Sequence, residues 1–219
     1  MRPTHFLALQ LPGAALHDAI AGLQRAIVAK DASLSQCAVS PSKTHITLFV
    51  FNADTADRLS AARAAFAATS TTAATTIHHT PVAHLEGLDV FGKQVLFCAL
   101  REPTEDMALV RALRAAAVDA FVAHGVASKA ELDDRAWHPH VTLLKTSQAP
   151  RPRWGQPAIT IQPAAYEGIN VTLGVHPMPE LSLCAMGGPT DPDGFYRRVA
   201  VARLGAPLAA EPFDVPPTD

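Results

Sequence analysis

Cysteine is scarce in this chain: three in 219 residues, Cys37, Cys98 and Cys184, far apart and with no C-x-x-C spacing. An odd, scattered set in apolar surroundings reads as buried free thiols in a reducing compartment, the cytoplasm by default and the nucleus as the alternative. An excess of one charge is also missing, since 18 Lys and Arg face 20 Asp and Glu for a net charge of -2. A protein that grips long duplex nucleic acid displaces counterions with a basic excess, so no such partner is expected. A small anion in a cleft needs only a few local donors. No apolar run approaches the ~20 residues of a membrane span. The opening MRPTHFLALQLPG breaks at Pro12 and Gly13 with no small-residue cleavage site after it. Neither a membrane nor a secretory signal is therefore expected. The start lacks Met-Gly with a nearby Cys, so lipid anchoring is not implied.

Cofactor signatures are missing too. Neither G-x-x-x-x-G-K-S/T nor G-x-G-x-x-G occurs, and Gly87, Gly92, Gly187 and Gly188 lie at turns. His78, His79 and His84 could be grouped with His138 and His140, but no H-E-x-x-H or similar carboxylate-histidine spacing accompanies them, so no metal is expected. What the chain does have is 48% apolar residues against 17% charged. That is enough for a sizeable core, in one large domain or one domain with two lobes.

Residues 4–11 alternate as a strand, with Phe6, Ala8 and Gln10 on one face and His5, Leu7 and Leu9 on the other. Leu16, Ile20, Leu23 and Ile27 then recur at helical spacing up to Lys30. Residues 44–51 form a second strand, and Asp54 is placed to cap a helix running to about Ala68. Ser70 to Thr76 reads as a Ser/Thr/Ala linker leading to strands at 77–85 and 94–100, with Gly87 and Gly92-Lys93 as turns. Thr104 opens a third helix, and a strand follows at 140–146. Three prolines stiffen 149–157, a short helix fits 163–173, and strands fit 180–186 and 195–202. This order predicts an α+β fold with antiparallel sheets over residues 1–204, followed by a Pro-rich tail at 205–219.

One short pattern occurs twice. His45-Ile46-Thr47-Leu48 and His140-Val141-Thr142-Leu143 are two copies of H-h-T-h, where h is apolar, 95 residues apart. Strand alternation sets His45 with Thr47, and His140 with Thr142, on one face. Each copy offers an imidazole beside a hydroxyl on a rigid element. Facing each other across a cleft, the two pairs would surround one phosphate with two acid/base groups and two donors. Cleaving a phosphodiester needs a base for the attacking hydroxyl or water and an acid for the leaving oxygen; imidazole can hold either role near neutral pH. A single H-x-T is common by chance and fits a core histidine beside a β-favouring Thr. Two copies with the same apolar dressing favour chemistry.

On these residues the chain resembles the 2H phosphoesterases, in the branch that includes the central domain of A-kinase anchoring protein 7. THFLALQLP is similar to that branch's opening strand, SKTHITLFVF to its first motif block and GLDVFGKQVLFCAL to its central hairpin. WHPHVTLLK is similar to the second motif block and DGFYRRVAVARLG to the closing strand. The resemblance implies two pseudo-symmetric lobes with antiparallel sheets and flanking helices around a central cleft. It implies catalytic His45 and His140, phosphate-binding Thr47 and Thr142, and no metal or other cofactor. The implied substrate is a nucleotide or short RNA carrying a 2′,5′-linked or cyclic phosphodiester, and the expected state is a monomer. A nucleoside monophosphate-binding module with little turnover, and a 2′,5′ RNA end-ligase, remain alternatives. The anchoring proteins also carry an amphipathic kinase-binding helix; the tail LGAPLAAEPFDVPPTD has prolines that forbid one, so kinase anchoring is not carried over.

Two further residues are candidates for substrate binding. Phe6, on a face with small and polar neighbours, could stack on a base, although packing in the core competes with that reading. Lys145 could neutralise phosphate charge, but strict alternation sets it opposite Thr142 unless the strand twists or bulges. Lys43 and His138, each two residues before a motif histidine, share the motif faces.

Overall fold

The computed structural model describes residues 2–133, 136–150 and 157–205. Most of the proline-rich connection at 149–157 and of the tail at 205–219 lies outside the described residues. The strands are β1 (His5–Gln10), β2 (His45–Phe51), β3 (Val82–Phe91), β4 (Val95–Leu100), β5 (His140–Lys145), β6 (Thr172–Pro177), β7 (Glu180–Ala185) and β8 (Arg198–Arg203). The helices are α1 (Ala14–Lys30), α2 (Ala56–Thr76), α3 (Glu105–Ala123) and the one-turn α4 (Lys129–Leu132).

All strand pairings are antiparallel, in the order β6-β3-β4-β5-β2-β1-β7-β8. The sheet divides at its centre, where β2 and β5 meet through the single pair Ile46 and Val141. Four strands lie on each side, and the two H-h-T-h strands are the innermost of each half. The halves are also built alike: β1-α1-β2 and β4-α3-β5 are both strand, helix and antiparallel neighbouring strand. Each helix crosses to the other half. From the β1-β2 unit, α1 packs on β5 and β6. From the β4-β5 unit, α3 sets Phe121 edge-on against Phe49 and Phe51 of β2.

The helix side of the sheet is the main core, with Leu7, Leu9, Ile46, Leu48, Val141 and Leu143 all buried. The other face carries a separate small cluster of Phe6, Ala8, Cys184 and Phe195. Alternation on β1 is what sends Phe6 and Ala8 to that face.

Several boundaries differ from the sequence reading. The Ser70 to Thr76 stretch is helix, not linker. The hydroxyls of Thr69, Ser70, Thr71, Thr72 and Thr76 bond the carbonyl four residues back, and Thr69 and Ala73 are buried against the core. Its N-cap is Thr55, which accepts from the Arg58 amide, rather than Asp54. β3 starts only at Val82 and runs through Gly87, where a register shift and φ of 77° accommodate the strand rather than ending it. Only Pro163–Ala165 coils in the stretch read as a helix, because Thr172–Pro177 is claimed by the β3 edge. The last strand begins at Arg198, which leaves Phe195 and Tyr196 in the preceding loop.

Candidate active site

The Ile46–Val141 register sets His45 beside Thr142 and Thr47 beside His140 across the seam. All four side chains line one cavity of about 440 Å³, together with Phe6, Lys43 and Lys145. Motifs 95 residues apart in sequence thus meet in one place.

The two rings are held in the same way. Nδ1 of His45 bonds the Lys43 carbonyl at 2.7 Å, and Nδ1 of His140 bonds the His138 carbonyl at 2.8 Å. A carbonyl only accepts, so Nδ1 carries the hydrogen and Nε2 is the nitrogen left to exchange a proton. The Thr47 hydroxyl donates to His45 Nε2 at 3.0 Å. Burial pushes His45 down to about 4, against the pull of the Lys43 carbonyl, and the charges of His140 and Lys145 add to the depression. His140 is also lowered by burial, against its bond to the His138 carbonyl and aided by Lys145 and His138.

Both motif strands carry a bulge at the same place. On β2, Leu7 faces Phe49 and Ala8 faces Thr47, so Leu48 is the extra residue. On β5, Leu96 faces Leu144 and Phe97 faces Thr142, so Leu143 is the extra residue. A bulge resets the alternation after it. Leu143 and Leu144 are therefore both buried, and Lys145 returns to the face of Thr142. By the same shift Val50 joins the face of Thr47. The cleft is consequently cationic at one strand end and apolar at the other.

The freed carbonyls are taken up by side chains from the crossing helices. Gln24 of α1 donates to Leu143 O at 2.8 Å and Val39 O at 2.7 Å, and Arg114 of α3 donates to Leu48 O at 2.9 Å. Trp137 Nε1 donates to Thr47 O at 2.9 Å and ties the approach to the second motif to the first motif's strand. Sequence reasoning missed all three. Gln24 had a signal, since it falls four residues after Ile20 in the apolar stripe of α1.

Phe6 is only 2% exposed, with its ring 5.2 Å from His45 and edge-on to Tyr196, so it backs the histidine as part of the cleft wall. Tyr196, also missed, lies 5.5 Å from His45 with Lys43 Nζ 4.8 Å over its ring. Its loop is braced by Arg198, which donates to Asp191, Asp193 and Gln10. Gly194 in that loop, at φ of 80°, accepts from Ser42; a Cβ there would come within 2.8 Å of the Ser42 hydroxyl. His79 is paired with Asp106 and takes no part in the cleft. Among the described residues, no group of three or more His, Cys, Asp or Glu is placed to hold a metal ion, and no helix is long and apolar enough to cross a membrane.

The family described as the AKAP7 2′5′ RNA ligase-like domain matches residues 3–204. A-kinase anchor protein 7 isoform gamma of Homo sapiens is 25% identical over 215 residues, which cover 97% of this chain but 60% of that protein. Among solved structures, TT0787 of Thermus thermophilus superposes with a TM-score of 0.57 at 18% identity, covering 92% of this chain and 97% of that one. LigT of E. coli in apo form gives 0.55 at 19% identity, covering 94% and 100%. At these identities the structures show a shared fold. The family match, with the antiparallel two-lobed fold beneath it, establishes that the chain belongs to the 2H phosphoesterases, as an AKAP7 2′5′ RNA ligase-like domain.

Proposed function

We propose that this protein is a metal-independent hydrolase of 2′,5′-linked or cyclic nucleotide phosphodiesters. The observation that carries the reading is the convergence of two H-h-T-h pairs in one cavity, each ring tethered through Nδ1 to a backbone carbonyl. His45 is the base, because burial, the neighbouring imidazole and Lys145 keep it neutral. His140 is the acid, charged once a phosphate anion lies beside it. Thr47 and Thr142 hold the non-bridging oxygens where charge gathers, and Lys145 offsets that charge from the bulged end of β5. E. coli LigT, of the same fold, has been crystallised with 3′-AMP and with NADP⁺, which supports a nucleotide as the ligand.

The test is turnover of a panel of 2′,5′-, 3′,5′- and cyclic phosphodiesters by the parent and the two histidine variants. His45→Ala and His140→Ala should each lower kcat by roughly 10²-fold or more, the scale of a lost acid or base. The double variant should be little worse than the poorer single one, since groups acting as a unit are not additive. A folded single variant with full activity would sink the two-histidine mechanism. Affinity for a nucleoside monophosphate without turnover of any panel member would replace the enzyme with a binding module.

A further inference from the structure

The two motif rings are tethered alike, but the tethers themselves are secured differently. The Lys43 carbonyl that holds His45 belongs to a 3₁₀ turn, Pro41–Lys43. In that turn the Lys43 and Thr44 amides bond the Ser40 and Pro41 carbonyls at 2.9 and 3.1 Å. The His138 carbonyl that holds His140 lies before β5, which begins only at His140. Pro139, next in the chain, has no amide to give. The ladder brings no support from β2 either, since β2 and β5 pair only at Ile46 and Val141. The side chain just before His138 does reach across: Trp137 Nε1 donates to the Thr47 carbonyl at 2.9 Å.

Trp137 is itself braced. Its indole is half-buried against the main core. From α3, Arg111 and Arg114 bring their Cζ atoms to 5.2 and 5.5 Å from the centre of its ring. A guanidinium over an indole is a favourable contact, strongest where water is excluded. Both guanidinium groups are fixed in turn. Arg111 donates to both carboxylate oxygens of Glu102, and Arg114 is held by the Leu48 and Leu132 carbonyls and by Asp133. Trp137 and Arg114, in contact with each other, thus hold consecutive carbonyls of the first motif strand. Trp137 lines a second cavity of about 570 Å³, which adjoins the motif cavity and shares Thr47, Val50, Phe91 and His140 with it. Since Trp137 is not on the wall of the motif cavity, any effect on chemistry there must pass through its neighbours.

We propose that Trp137 is a positioning residue for His140. Anchored on the Thr47 carbonyl and braced by Arg111 and Arg114, it fixes the His138 carbonyl and with it the direction of the His140 ring. The proposal rests on the phosphodiester reading above and adds a residue that aims its acid. Trp137→Phe tests it, since phenyl keeps an aromatic ring beside the guanidinium groups and removes the N–H donor. In ¹⁵N spectra of the histidine-labelled protein, neutral His140 of the parent should carry its hydrogen on Nδ1. In the variant it should mix the two tautomers, while His45, tethered by its own turn, keeps its spectrum. On the panel's best substrate kcat should fall at least tenfold, the lower part of the range for a misdirected acid. The calorimetric dissociation constant for adenosine monophosphate should stay within about threefold, because Thr47 and Thr142 keep their strand partners Ala8 and Phe97. An unchanged His140 tautomer overturns the proposal. So does a loss spread over both histidines and the affinity, which marks a general loosening of the site. If Trp137→Phe does not fold, Arg111→Gln at its exposed position takes its place. It must shift the His140 tautomer and not that of His45, and an unchanged spectrum overturns the role. If the parent turns over no panel member, the phosphodiester reading fails, and the tautomer of His140 alone decides for or against Trp137.

Discussion

His45 and His140 are the same residue type in the same motif with the same Nδ1 tether, yet their surroundings differ in a way that fits the separate roles proposed for them. His45 lies under Phe6, Phe195 and Tyr196 and loses the charged form to burial. His140 lies against Phe91 and Phe97 at the rim shared by the two cavities. A pH dependence follows. As the proposed base, His45 must be neutral, so kcat/KM should rise with pH through its value of about 4. As the proposed acid, His140 must be protonated, so kcat/KM should fall as pH rises through a value held below the ordinary 6.5. The expected profile is a bell lying on the acid side of pH 6.5, its limbs belonging to the coupled pair. The limb of kcat on the alkaline side should move up, because bound phosphate stabilises the imidazolium. A kcat/KM profile that climbs through neutrality and peaks above pH 7 would contradict this assignment.

At the level of elements, the bulges decide what the strands present. Unbroken alternation would point Lys145 into the helix layer and leave the cleft without a cation from β5. The extra residue Leu143 corrects this, and its carbonyl is held by the Val39 amide and by Gln24. Gln24 is itself 6% exposed, a buried amide in an apolar stripe. Gln24→Leu keeps the volume but strips the Val39 and Leu143 carbonyls of that donor. It should destabilise by about 1–3 kcal/mol, the usual cost of an unsatisfied buried group, and lower Tm by roughly 2–4 °C per kcal/mol in a chain of this size. Thermal melting reads the loss, and kcat should fall with it as Lys145 loses its fixed direction. An unchanged Tm would mean the bulge does not depend on this contact. The Ser/Thr stretch of α2 is the converse case: its low intrinsic helix preference is overridden because each hydroxyl finds a carbonyl inside the helix and Thr69 and Ala73 find the core.

Over the whole molecule, two half-sheets meet at a seam one residue pair wide, and each half's crossing helix secures the other half's motif strand. The cleft so formed contains two imidazoles, two threonine hydroxyls and two lysines, while no described group of His, Cys, Asp or Glu could hold a metal. Turnover should therefore be unchanged after exposure to a strong chelator; loss of activity that zinc or manganese restores would overturn the metal-independent reading. The repeated H-h-T-h, its apolar strand setting and the pairing of each histidine with its threonine on one face were all legible in the sequence, because a period of two is a local property. Local order could not reveal the register shifts at Leu48 and Leu143, which arise from pairing with β1 and β4 and turn Val50 and Lys145 into the cleft. Nor could it reveal Trp137 on the Thr47 carbonyl, Tyr196 over His45 or the second cavity beside His140. Those depend on which distant strand lies next to which, and only the folded sheet decides that.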